Sequence, residues 1–112
     1  MSRYLVECTI DPAKANVLAA LRAEHYEFLI AHRGDIVFGG PARACPGRPP
    51  QTMVIVVEAA SNEAAEAFID AEPYNRNGDF ARLIVRPWSQ VLPEISSGSL
   101  QKTLGAERAA RG

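Results

Sequence analysis

The sequence predicts an α+β protein with the element order β-α-β-β-α-β, and three observations carry that prediction. Residues 3–10 and 52–58 are runs rich in β-branched and aromatic side chains, bounded by turn formers, and they read as strands. Between them, residues 18–29 place apolar side chains at spacings of three, four and seven, which reads as a helix. A similar pairing recurs in the second half, with a capped helix from residue 62 and a strand from residue 80. That order is the ferredoxin-like split βαβ unit, an antiparallel sheet with both helices on one face. A chain of 112 residues makes one such domain, long enough to bury roughly 60% of its unfolded surface.

Taken in order, residues 3–10 put Tyr4, Val6, Cys8 and Ile10 on one face of the first strand, with Leu5, Glu7 and Thr9 on the other. Asp11 then offers an N-cap, and Pro12 fits the first helical position, where its missing N–H costs nothing. The helix is expected to run to His32 or Arg33 and stop at Gly34. Residues 35–40 read as a second strand leading into Gly39-Gly40-Pro41. Residues 41–50 hold four prolines and one glycine, which predicts a long surface loop. Residues 52–58 are almost continuously apolar and β-branched, as a central strand buried on both faces would be.

Ser61 caps the second helix, whose Ala65, Phe68 and Ile69 point inward and which Pro73 ends. In the turn that follows, Gly78 is expected in the left-handed region. The last strand, residues 80–91, sets Arg82, Ile84, Arg86 and Trp88 against Leu83 and Val85, and Pro87 suits an edge. The domain therefore spans residues 1–92. Residues 93–112 have few large apolar side chains and are expected to form a tail, flexible or packed on a partner subunit.

The composition, 47% hydrophobic and 22% charged with a net charge of -1, offers no basic face for nucleic acid. No run approaches the apolar length of a membrane span. The opening residues lack the apolar core of a signal peptide, so a cytoplasmic location is expected. Cys8 reads as a small buried hydrophobe and Cys45 as a loop residue, both reduced thiols outside any zinc pattern. With both helices on one face, the other sheet face stays bare, and a second copy packed sheet to sheet would cover it.

His25 is the residue that needs explaining. Leu18, Leu21, Phe28 and Leu29 form the apolar stripe of the first helix, and His25 lies inside it, whereas Arg22 and Glu24 fall off that face. An imidazole aimed at a core must be hydrogen-bonded there. Periodicity alone leaves two readings open: a satisfied core histidine, or a functional one. His32, seven residues on, suits the C-terminal dipole of the helix. Tyr26 and Tyr74 could line a pocket, with aromatic packing the plainer role for each.

These pieces, in this order, resemble the YCII-related family of small dimeric α+β barrel proteins. The matching residues are the opening Tyr4-Leu5-Val6, the helical Ala23-Glu24-His25 with Leu29 four residues on, and Gly39-Gly40-Pro41 after the second strand. The apolar third strand follows, then Glu72-Pro73-Tyr74 with Gly78 closing the turn, and Arg86-Pro87-Trp88 at the end. The resemblance spans residues 3–92. It implies an active-site pair made of a histidine on the first helix and an aspartate just before the proline. The histidine carries over to His25. The acid departs from the pattern: Glu72, one methylene longer, stands in the aspartate's place, and Asp70 lies two residues earlier. Either carboxylate is a candidate.

A carboxylate beside a neutral imidazole fixes its tautomer and supports the imidazolium that proton abstraction creates. The expectation is a small cofactor-independent enzyme, a lyase, isomerase or dehydrohalogenase acting on a cyclic or aromatic acid. Tyr74, Arg82 and Arg86 are its substrate-binding candidates, although a solvated strand face is the plainer role for the two arginines. The alternative is a non-catalytic ligand-binding or regulatory module using the same pocket. No metal or cofactor is expected, since Gly-Gly-Pro is too short for a phosphate loop. The expected partners are a small molecule and a second copy of the chain, not nucleic acid or a membrane.

Overall fold

A computed structural model describes residues 1–112. The elements are β1 (Ser2–Ile10), α1 (Ala15–Ala31), β2 (Ile36–Arg43), β3 (Pro50–Ala59), α2 (Asn62–Asp70), the single turn α3 (Pro73–Arg76), β4 (Phe80–Trp88) and α4 (Ser99–Arg111). The strands form one antiparallel sheet in the order β2-β3-β1-β4. This is the ferredoxin-like arrangement, with β1 and β3 inside and β2 and β4 at the edges.

Local chemistry places the helix starts. Asp11 accepts the Ala13 N–H at 3.0 Å over a short 3-10 turn, Pro12–Lys14, that leads into α1. Ser61 Oγ accepts the Ala64 N–H at 3.1 Å at the start of α2. Gly78 adopts φ 75°, the left-handed geometry that its turn requires. Gly39 is needed for a different reason, because a Cβ there would sit 3.0 Å from the Val54 carbonyl oxygen across the β2–β3 ladder.

Strand alternation then divides the side chains between two faces. Tyr4, Val6 and Cys8 of β1 join Met53, Ile55, Val57 and Ala59 of β3 in a core with Leu18, Ala65 and Ile69 from the helices. On the other face Phe38 and Trp88 reach in from opposite edges and meet at 5.4 Å with an interplanar angle of 83°. Val56, which alternates away from the core side chains, is fully buried on that face.

The structure departs from the sequence expectations in three places. Residues 41–50 are not one long loop: β2 continues to Arg43 and β3 begins at Pro50, because prolines are tolerated at a strand edge and a strand start. The last strand ends at Trp88 rather than residue 91. The C-terminal segment forms a helix, α4, yet buries none of its residues. The Cα radius of gyration is 16.9 Å, against roughly 13 Å for a compact chain of this length, so the molecule is drawn out. No helix is long and apolar enough to cross a membrane.

Candidate active site

The turn after α2 is built around one carboxylate. Pro73 opens α3 at a position that needs no N–H acceptor, and Glu72 precedes it as the N-cap. Its Oε2 accepts the N–H groups of Tyr74 at 2.9 Å and Asn75 at 3.2 Å. That leaves Oε1 directed at α1, where it lies 2.5 Å from Nδ1 of His25. Glu72 is 0% exposed and His25 6%. A carboxylate so deeply buried is tolerable only when its lone pairs are met, and here three donors meet them.

Further contacts fix this geometry. The Tyr74 ring stacks on the His25 imidazole, with centroids 4.2 Å apart and planes 15° apart. Beyond α3, the buried Asp79 accepts from Asn77 Nδ2 at 3.0 and 3.1 Å. Lys14 Nζ donates to the Gly78 carbonyl at 2.9 Å and lies 3.9 Å from Asp79 Oδ1, which ties the turn to the start of α1.

Because a carboxylate only accepts, the proton between the pair belongs to Nδ1, and Nε2 is the nitrogen left unprotonated in the neutral ring. His25 lines a cavity of about 860 Å³ between α1 and the β2–β3 half of the sheet. Its walls are mostly apolar and include Leu18, Leu29, Ile36, Met53, Ile55 and Phe80, together with Tyr74. Burial raises the Tyr74 phenol above its usual pKa, while the neighbouring Arg22 guanidinium opposes the shift. The phenol is therefore a neutral donor at neutral pH. Burial first, and the Glu72 charge second, push the Cys8 thiol up to about 12. No three His, Cys, Asp or Glu side chains converge as a metal site would require.

Residues 2–89 match the YCII-related domain. The chain belongs to that family. Among solved structures it is similar to 5-chloro-2-hydroxyhydroquinone dehydrochlorinase (TftG) from Burkholderia phenoliruptrix AC1100, in complex with 2,5-dihydroxybenzoquinone. That match has TM-score 0.74 and 24% identity, covering 82% of this chain and 98% of the other. A second match, a protein of Agrobacterium tumefaciens, has TM-score 0.53 and 11% identity, with 85% and 98% covered. At these identities the likeness is one of fold. No curated protein matches the chain.

Within this YCII-related chain, the structure brings His25, Glu72 and Tyr74 together. Asp70 is not with them; it is the exposed last residue of α2, two positions too early to turn back toward α1. Arg82 and Arg86 are also elsewhere. The β1–β4 register pairs Arg82 with Thr9 and Arg86 with Leu5, which puts both on the sheet face away from the helices, and Arg86 bonds Glu7 at 3.1 Å. The cavity is lined instead by Arg22, Arg33 and Arg43. Arg22 had a sequence signal, since it stands one helical turn before His25. Arg33 and Arg43 had none, because neither belongs to a periodic pattern.

Proposed function

We propose that this YCII-related protein is a small enzyme that works without a cofactor, using His25 to move a proton on a cyclic or aromatic acid. The observation that carries the reading is the buried His25–Glu72 pair at the wall of a largely apolar cavity. In this mechanism His25 Nε2 takes a proton from a carbon or phenol oxygen of the substrate. Glu72 stabilises the resulting imidazolium through Nδ1–H. The electron pair left behind either expels an anionic leaving group, as in dehydrohalogenation, or is reprotonated at another carbon, as in isomerisation. The Tyr74 hydroxyl supplies a neutral donor for the oxygen on which charge develops. A chlorinated hydroquinone is a rational first substrate, because the similar dehydrochlorinase is named for one.

The protein works as a homodimer in this reading, the two open sheet faces packed on each other. Phe38 is 44% exposed on that face beside Trp88, and a partner covering this aromatic patch would take it out of water.

The deciding experiment follows chloride release and solvent deuterium uptake from a panel of hydroxylated and chlorinated aromatics. His25→Gln is expected to lower the rate by about 10²–10⁴-fold, the usual worth of a general base. Turnover that survives His25→Gln unchanged would overturn the assignment.

A further inference from the structure

The cavity beside His25 is charged with one sign only. Arg22, Arg33 and Arg43 line it, and no Asp or Glu does. Bulk composition does not explain this, because the chain has 12 Lys and Arg against 13 Asp and Glu. Glu72 lies behind His25 and does not line the cavity, although its charge is felt by Tyr74, which does.

The three guanidinium groups are not equivalent. Arg33 lies two residues past the end of α1 and Arg43 at the end of β2. β1 and β2 both run antiparallel to β3, so they are parallel to each other, and α1 runs back between them. The end of β2 therefore lies toward the start of α1, which separates Arg43 from Arg33 along the length of the cavity. Arg22 lies between them, one turn before His25 and beside the Tyr74 hydroxyl. Arg22 lines the cavity with Tyr74 and His25, Tyr74 stacks on His25, and Glu72 bonds His25 from behind. A guanidinium so placed offers its donors to the cavity at the level of the imidazole, where a planar carboxylate is best met by a two-pronged donor.

The cavity's size narrows the ligand further. At about 860 Å³ it falls in the upper part of the range that drug-sized ligands occupy, larger than a single ring requires. We propose that the cavity selects an aromatic acid of more than one ring, with its ionised oxygen held by Arg22 and its apolar body along α1. Arg33 and Arg43 attract the anion from the rim. This inference rests on the same site as the proton-transfer reading, but it concerns binding and makes Arg22 the specificity-determining residue.

The test is calorimetric titration of the full chain with 2-naphthoate and, as the neutral match, 2-naphthamide. The acid is expected to bind at least tenfold more tightly than the amide. Arg22→Gln should abolish that preference, and Arg22→Lys should restore only part of it, because an ammonium keeps the charge and loses the fork. The double variant Arg33→Gln/Arg43→Gln should weaken the acid by less than Arg22→Gln does. All three arginines are exposed, so the effect of each variant should weaken at high salt. Unchanged thermal unfolding of each variant shows that the fold is intact. Equal affinity for acid and amide, no binding of the acid, or an acid preference that survives Arg22→Gln overturns the proposal. Binding is read without turnover, so a protein that binds naphthoate and catalyses nothing would overturn the enzymatic reading alone.

Discussion

On the helix-covered side of the sheet, two carboxylates and an imidazole are buried, and each has partners: Glu72 with His25, Tyr74 and Asn75, and Asp79 with Asn77. On the opposite side the charges are exposed, as in the Arg86–Glu7 pair, and the aromatic side chains of Phe38 and Trp88 lie over the middle strands. The strands present side chains to both faces, but the buried ionisable groups come from α1 and from the connection between α2 and β4. The difference comes from what covers them. Helices exclude water from one face, so an ionisable group there needs complete bonding and becomes chemically distinct. The other face has no layer of its own, and its apolar side chains are what a second copy can bury. The proposed chemistry belongs to one face and the proposed assembly to the other, and each can be perturbed separately.

The largest effect is expected from the covered face. Glu72→Ala strips an acceptor from His25 Nδ1 and from two N–H groups of α3 at once. Breaking a buried pair by removing one partner costs about 3–5 kcal/mol, much of the stability of a domain this size. Denaturant unfolding measures it. A loss under about 1 kcal/mol would mean that the α1–α3 contact contributes little to the fold. Glu72→Gln keeps an acceptor for the cap and should cost less than Glu72→Ala.

The second effect is alkaline, and it too belongs to the covered face. Burial holds the Cys8 thiol and the Tyr74 phenol above their usual pKa. Such groups stay protonated in the folded chain after the unfolded chain has begun to lose its protons. Stability is therefore fully present below the unfolded pKa and falls as pH rises through the folded one. For the Cys8 thiol that window runs from 9.0 to about 12, with a loss on the order of 4 kcal/mol at its upper end. Tyr74 adds to the loss in the same direction from about pH 10 upward. Cys8→Ala should flatten the decline in unfolding free energy between pH 9 and 12, whatever its own cost at pH 7. An undiminished slope would place the titrating group elsewhere.

The covered face was also the more legible in the sequence, for physical reasons. An imidazole inside an apolar stripe is an anomaly that helical periodicity exposes, and Pro73 marks where the chain must turn back beside it. Periodicity separates the two sides of β4 but does not say which side holds the cavity, so Arg82 and Arg86 fell on the wrong one. Arg22 was in view but was set aside for its charge: it stands about 60° around the helix from His25 and about 20° from Leu29, at the edge of the apolar stripe, where a long side chain reaches the cavity. The extended β2 was masked by prolines that read as loop in sequence and as edge in space. α4 was masked by its lack of a core, although Leu, Gln, Lys, Ala, Glu and Arg sustain a helix by propensity.

A smaller effect on stability, with a clear effect on assembly, is expected from the open face. Phe38→Lys puts a charge on an edge strand beside Trp88, where a second copy would have to bury it. Light scattering should find a dimer for the unaltered chain and a monomer for the variant at micromolar concentration. Its unfolding free energy at matched monomer state should fall within about 1 kcal/mol, because Phe38 is already 44% exposed. A monomer for the unaltered chain would remove the case for sheet-to-sheet packing.

The smallest effect on the domain itself is expected from its last residues. No residue of α4 is buried, and Ile95 and Leu104 are 68% and 40% exposed, so losing them uncovers little apolar area. Truncation after Leu92 keeps Gln90, whose side chain accepts from Arg3 at 2.5 Å and closes β4 onto β1. It also leaves the α1–α3 junction untouched. The shortened chain should unfold within about 0.5 kcal/mol of the full one when both are monomeric, as for surface changes generally. The informative comparison is with the dimer. If truncation leaves the monomer's stability alone but weakens association, the segment after Leu92 packs on the partner, and Ile95 and Leu104 belong to the assembling face. If instead the monomer itself unfolds, the domain does not end near residue 92, and α4 is part of its core structure.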